Sequence, residues 1–261
     1  MKLYMMDTGT LRTRARNIES TCPDEPAMCE VPVPFFLIQH PRGNVLFDGG
    51  NALEVVNDPV GHWGESAQIF QPLMTAEQSA KAQIESLGVA AESIRYVIQS
   101  HLHLDHTGAL GQFPNAEVIV HRRELEYAHA PFWFQRAGYV QSDFRRPGIN
   151  WLAIDEVFGD GFDLFDDGSI RIIFTPGHTP GHQSLIVDLP ETGSVVLAGD
   201  ACNTLQQFDG RGLPSGAYSN ALFVQSIDKL RHIVKENDAM FVPGHDLDAW
   251  RDFRKAPASY S

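Results

Sequence analysis

Apolar runs and amphipathic stripes alternate along the chain, separated by turn residues, with no low-complexity stretch between them. Met1-Lys-Leu-Tyr-Met-Met-Asp7 reads as a first strand. Val33-Pro-Phe-Phe-Leu-Ile-Gln39 and Asn44-Val-Leu-Phe-Asp48 flank a Pro-Arg-Gly turn and predict a hairpin. Thr75-Ala-Glu-Gln78 has the spacing of a capping box; it opens a helix with Ala80, Ile84 and Leu87 on one face and Gly88 as its stop. Strands are expected over 94–100 and 117–121, then a short helix over 122–129. Phe223, Ile227, Leu230 and Val234 recur at helical spacing ahead of a strand over 239–243. Segment 131–151 is different: Phe132, Trp133, Phe134, Tyr139, Phe144 and Trp151 follow no period. It reads equally as a long loop folded on the core or as the apolar wall of a cleft. The elements divide into two similar halves, each with strands first and a helix afterwards. Two sheets face to face, with helices outside both, would bury every apolar face in this pattern.

Composition narrows the class without identifying it. With 261 residues, 43% of them apolar, the chain can bury a substantial core, as one large domain or two small ones. The 20 Lys and Arg against 33 Asp and Glu leave a net charge of −13, which disfavours nucleic acid and anionic membranes as partners. The N-terminal apolar run is too short for an export signal, and no run approaches the roughly 18 residues of a membrane span. Cys22, Cys29 and Cys202 are too few for a disulfide framework, so a reducing cytoplasm is the expected setting. Cys202 is expected to be a buried small hydrophobe.

Candidate chemistry is concentrated where strands end. His101-Leu-His-Leu-Asp-His106 places four metal-ligating side chains within six residues, directly after the strand over 94–100. On an extended backbone His101, His103 and Asp105 would point one way, and a curling loop would bring His106 to join them. Three more apolar runs end on a possible ligand, at His178, Asp200 and His245, each with a glycine just before it. In α/β folds, functional groups gather beyond the carboxyl ends of strands. Five His and two Asp exceed what one tetrahedral zinc can use, so two ions sharing a carboxylate are expected. Imidazole and carboxylate suit zinc, with manganese, iron and cobalt as alternatives. The blander reading of 101–106 is a polar loop that happens to be rich in histidine.

These stretches resemble the metallo-β-lactamase superfamily, whose signature is His-x-His-x-Asp-His with later single His, Asp and His ligands. Val31-Pro-Val-Pro-Phe-Phe-Leu-Ile, Gly61-His-Trp-Gly, Gln99-Ser-His-Leu-His-Leu-Asp-His-Thr-Gly, Thr175-Pro-Gly-His-Thr-Pro-Gly-His-Gln-Ser and Gly244-His-Asp are similar to the N-acyl-homoserine lactone lactonases and their γ-butyrolactone-opening relatives. The resemblance implies an αβ/βα four-layer sandwich, two mixed sheets flanked by helices, as a single domain over 1–261. It implies that His101, His103 and His178 hold one divalent ion, that Asp105, His106 and His245 hold the other, and that Asp200 bridges them. The activity implied is a quorum-quenching carboxylic-ester hydrolase, in which a solvent molecule shared by the ions attacks the lactone carbonyl and Asp105 relays a proton to the departing alkoxide. Lactonases of this type carry a tyrosine three residues after the bridging aspartate; Asn203 stands there in this chain, with a shorter side chain that can also donate. Tyr218 is a second candidate for a phenol. The acyl tail would rest on segment 131–151 and near Trp63 and Phe70.

Rival reactions on the same fold are opening of small γ-lactones such as γ-butyrolactone, thioester cleavage of the glyoxalase type, and β-lactam opening. The last is disfavoured by the missing export signal. The glyoxalase type is disfavoured by the lack of a basic cluster beyond Arg145-Arg146. A non-enzymatic metal site is disfavoured because structural zinc is closed by four ligands. A homodimer is compatible with the sequence. His182 reads either as a group orienting a ligand or as a polar start to a strand. His62 reads as cleft-lining or as an ordinary loop residue; His40, His121, His129 and His232 read as strand-end or helix-surface residues.

Overall fold

The computed structural model describes residues 1–19, 27–156 and 159–261; Cys22 lies outside them. Among the described residues, twelve strands form two sheets. In chain order, β1 (Lys2–Arg14), β2 (Met28–Gln39), β3 (Asn44–Phe47), β4 (Gln71–Leu73), β5 (Ile94–Ile98), β6 (Glu117–His121) and β7 (Asn150–Ile154) make the first. The second contains β8 (Gly161–Asp163), β9 (Ile170–Phe174), β10 (Gln183–Leu189), β11 (Gly193–Leu197) and β12 (Met240–Val242). The spatial orders are β4-β1-β2-β3-β5-β6-β7 and β12-β11-β10-β9-β8. Both are mixed: β3, β5, β6 and β7 run parallel, as do β11 and β12, while the other pairs are antiparallel.

The layering follows from side-chain alternation. Leu3, Met5, Phe36 and Ile38 from the first sheet meet Ile172, Leu185, Val187 and Val195 from the second in one shared core. Their neighbours Tyr4, Met6, Phe35 and Leu37 point the other way, onto Ala80, Ile84 and Ala128 of the covering helices. Outside the second sheet, Ile186 and Val196 pack on Phe223, Ile227 and Leu230 of helix Asn220–Asn237. This is the expected four-layer sandwich.

Local expectations held with three differences. The hairpin of β2 and β3 and the helices Arg122–His129 and Asn220–Asn237 lie where the pattern put them. The capping box at Thr75 and Gln78 is present, but it closes a 3-10 turn, Ala76–Gln78. An extended Ser79 separates that turn from the helix Ala80–Ser86. The first strand runs to Arg14, past a register irregularity between Asp7 and Thr10 that hides its continuation from alternation. The aromatic segment ends in β7, whose pairing with β6 carries no periodic signal of its own.

Candidate metal centre

All four ligand-bearing segments leave their strands at one edge of the sandwich. His101–His106 follows β5, His178 follows β9, Asp200 follows β11 and His245 follows β12. The loop after β5 curls, His106 N donating to His103 O at 3.0 Å, so His106 turns inward with its neighbours. Two glycines make room. Gly199 has φ +53°, and a Cβ there would lie 3.1 Å from both His182 Nε2 and Ser100 Cβ. At Gly177 a Cβ would sit 2.3 Å from Phe223 N. The turn at 244–245 is held against Asn203, whose carbonyl accepts His245 N at 2.9 Å.

The predicted residues converge. Possible ligand atoms of His101, His103 and His178 lie within 4.8 Å of one another, as do those of Asp105, His106 and His245, and those of His101, His106 and Asp200. Asp200 stands between the two histidine sets: its Oδ1 is 3.3 Å from His106 Nε2 and 3.2 Å from His245 Nε2, and its Oδ2 is 3.3 Å from His178 Nε2. Asp105 Oδ2 is 3.5 Å from His245 Nε2, and His103 Nδ1 is 2.9 Å from His178 Nε2.

The donor set fits a pair of divalent ions. His101 Nε2, His106 Nε2 and Asp200 Oδ1 are buried without a hydrogen-bond partner among the described residues, which is costly unless something else satisfies them. Spacings near 3 Å are those of neighbouring ligands around an ion with bonds of about 2.0–2.2 Å. Protonation differs across the centre. Burial drives His103 and His178 down to about 3 and His101 well below the ordinary imidazole value, so these three present neutral lone pairs. For His106 and His245 burial acts the same way but is outweighed: Asp105, Asp48 and Asp200 hold His106 well above its usual value, and Asp200 with Asp105 holds His245 at about 9. Burial would raise the Asp200 carboxyl; His245, His106 and His178 hold it well below the carboxylate range instead. Taking up an ion beside His106 and His245 therefore displaces protons.

A ring of supporting groups orients the imidazoles. Asp48 Oδ2 lies 2.9 Å from His106 Nδ1, while its Oδ1 accepts Ser100 N at 2.7 Å. It does so with φ +60°, a backbone position unusual for a residue with a side chain. Ser100 Oγ is 2.9 Å from His101 Nδ1, and His245 Nδ1 is 2.8 Å from Pro32 O. His182 belongs to this ring: it is fully buried, with Nδ1 2.9 Å from Thr175 Oγ1 and its ring 5.2 Å from that of His101. Sequence reasoning did not single out Asp48, Glu124 or Gln135. Asp48 directly follows β3, and a position just past a strand end is the one signal that it shares with the ligands. Gln135 bonds to the carbonyls of His178 and Gly216 and to the Tyr127 hydroxyl, contacts far apart in sequence.

A cavity of about 270 Å³ opens onto His103, Asp105, His178, Asp200, Asn203 and His245. Asn203 is buried, its N donating to Gln207 Oε1 at 2.8 Å and its Oδ1 unpartnered among the described residues. Tyr218 is not part of the lining; its ring stacks on Phe132 with centroids 5.7 Å apart. The expected tail surface is only partly there. Phe70 and Phe134 line the cavity, and Trp63 is buried behind its wall in the cluster that holds the lining residues Leu11, Val31 and Leu104; Tyr139 and Phe144 instead pack in the core, and Phe132 and Trp133 face solvent. Leu11, Ile18, Val31, Ile69, Leu104 and Ala137 supply the remaining apolar wall.

Other histidines stand apart from the centre. His62 Nε2 pairs with the buried Asp143 at 2.8 Å, outside the cavity lining. His129 and His232 are exposed as expected. His121 is at a strand end but buried, capping the following helix by accepting Arg123 N at 3.1 Å. His40, also at a strand end, stacks on Phe165. Cys202 is a buried core residue whose thiol is pushed up by burial.

Comparison with known proteins agrees with this geometry. The N-acyl homoserine lactonase AttM of Azorhizobium caulinodans is 45% identical over 260 residues, covering 100% of this chain and 98% of that one. The N-acyl homoserine lactonase AiiA of Bacillus thuringiensis subsp. kurstaki is 30% identical over 258 residues, covering 98% and 97%. A solved N-acyl homoserine lactone hydrolase, with the product N-hexanoyl-L-homoserine bound at its catalytic metal center, superposes with a TM-score of 0.88 at 28% identity, covering 99% of this chain and 98% of that one. The sequence pattern of the metallo-beta-lactamase superfamily matches residues 30–245, and the chain belongs to that superfamily.

Proposed function

We propose that this chain is a lactonase that opens the ring of N-acyl-homoserine lactones, a quorum-quenching hydrolase working with two divalent ions. The observation that carries the reading is Asp200, set between two histidine groups on the floor of a cavity whose outer walls are apolar. The relatives at 45% and 30% identity, matched end to end, support the same substrate class. His101, His103 and His178 would hold one ion, Asp105, His106 and His245 the other, and Asp200 both. When bound, such ions make water acidic enough to attack at neutral pH and polarise a carbonyl. Zinc is the ion proposed, because three neutral imidazoles on one side suit it.

The chain's own residues do the rest. Asp105 faces the cavity and would hold the proton released in the attack and pass it to the departing ring oxygen. Asn203, which lines the cavity, would donate from its side-chain amide to the lactone carbonyl, the task that the resemblance gives to a tyrosine. Leu11, Ile18, Val31, Phe70 and Leu104 exclude water and take the acyl tail, which favours tailed substrates over γ-butyrolactone. The unit proposed is one domain over 1–261, since a single core joins both sheets. No helix among the described residues is long and apolar enough to cross a membrane. The cytoplasm is the proposed setting; the buried Cys202 is a free thiol.

The test is proton release from a panel of lactones, thioesters and β-lactams, with metal-loaded and chelator-treated protein. Ring opening of acyl-homoserine lactones that disappears on chelation is the expected result. Full turnover by the chelated protein, or a preference for thioesters, would refute the reading.

A further inference from the structure

We propose that Glu124 is a positioning residue that sets the His101, His103 and His178 half of the centre and leaves the Asp105, His106 and His245 half alone. The inference rests on the two-ion reading above. Glu124 lies in the first turn of helix Arg122–His129 and is fully buried. Among the described residues no cation pairs with it. A carboxylate removed from water is retained at a cost, and its hydrogen bonds show where that cost is offset.

Each of those bonds leads to the same half. Oε1 accepts Leu102 N at 3.1 Å, and Leu102 is the residue between His101 and His103. Oε1 also accepts the Tyr139 hydroxyl at 3.0 Å; the Tyr139 ring meets the His103 ring edge-on, centroids 4.6 Å apart. Oε2 accepts Gly181 N at 3.3 Å, in the turn between His178 and His182. That turn approaches so closely that a Cβ at Gly181 would lie 2.3 Å from Glu124 N. One carboxylate thus ties the loop after β5, in the first sheet, to the loop after β9, in the second. The other half has different supports: Asp48 beside His106 and the Pro32 carbonyl beside His245. Glu124 acts through backbone and ring placement and touches no substrate.

Metal affinity reads this directly. Metal-free full-length protein is titrated with Zn²⁺ against a chromophoric chelator, giving an affinity for each equivalent. Wild type should take two. Glu124→Gln keeps the side chain's shape but puts an amide N–H among the three donors. It should weaken one equivalent by about 10–100-fold, the usual effect of losing such a support, and leave the other within about twofold. Backgrounds identify which. In Asp105→Ala the surviving equivalent should be weakened by Glu124→Gln; in His103→Ala it should not. Tyr139→Phe removes a single bond to Glu124, should weaken the same equivalent by less, and serves if Glu124→Gln does not fold. Equal weakening of both equivalents, or weakening of neither, overturns the inference while leaving the two-ion reading intact. A wild-type protein that takes fewer than two overturns both.

Discussion

Lengthening the acyl chain is the perturbation that most directly tests how this cavity selects substrate. Its inner wall is made of buried or half-buried apolar side chains, Leu11, Ile18, Val31, Phe70 and Leu104, while the rim residues Ile69 and Phe134 are 44% and 42% exposed. A volume of about 270 Å³ must hold the lactone ring and amide before any tail, so only the first several carbons are enclosed. A fully buried methylene contributes about 0.8 kcal/mol, so a two-carbon step along the inner wall is worth about 1.6 kcal/mol, or roughly 15-fold in kcat/KM. At the half-exposed rim the same step should give about half that energy, roughly 4-fold. The measurement is kcat/KM by proton release for straight-chain acyl-homoserine lactones of four to twelve carbons. A steep rise that flattens at the longer chains is expected. Phe70→Ala should reduce the rise and penalise ten carbons more than four. A flat response from four to twelve carbons would refute the tail pocket. So would a Phe70→Ala loss of equal size at every length.

Three further outcomes are expected. Asp200→Asn should lower bound metal, counted by elemental analysis of the dialysed protein, together with lactonase activity; retention of two ions per chain would contradict its placement between the histidine sets. The contact with Asp143 raises the pKa of His62 against its partial burial, so the pair's stabilisation is complete below about pH 6.5 and fades as pH rises through the elevated value. The melting temperature of wild type should therefore exceed that of His62→Gln most at pH 6, and a gap that widens towards pH 9 would refute the assignment. Phe223→Ala empties a fully buried site between helix Asn220–Asn237 and the second sheet and should cost about 3–5 kcal/mol in denaturant unfolding; a loss under 1 kcal/mol would mean that this layer repacks freely.

Local chemistry was legible in the chain because it is local. The hexapeptide from His101 to His106, the glycines before Asp200 and His178, the hairpin and the helical stripe at Phe223 each depend on residues a few positions apart. Periodicity therefore identified the layers, and ligand spacing identified the metal chemistry. Tertiary structure alone decided the contacts that span the chain. Asp48 meets His106 across 58 positions, His245 meets the Pro32 carbonyl across 213, and Gln135 reaches both His178 and Gly216. It also sorted the aromatics of 131–151 into one cavity wall, several core residues and an exposed edge, because without a period nothing in their order says which side meets solvent. A side chain's type limits what it can bind; only the folded neighbourhood sets its burial, its charge state and the atom it faces.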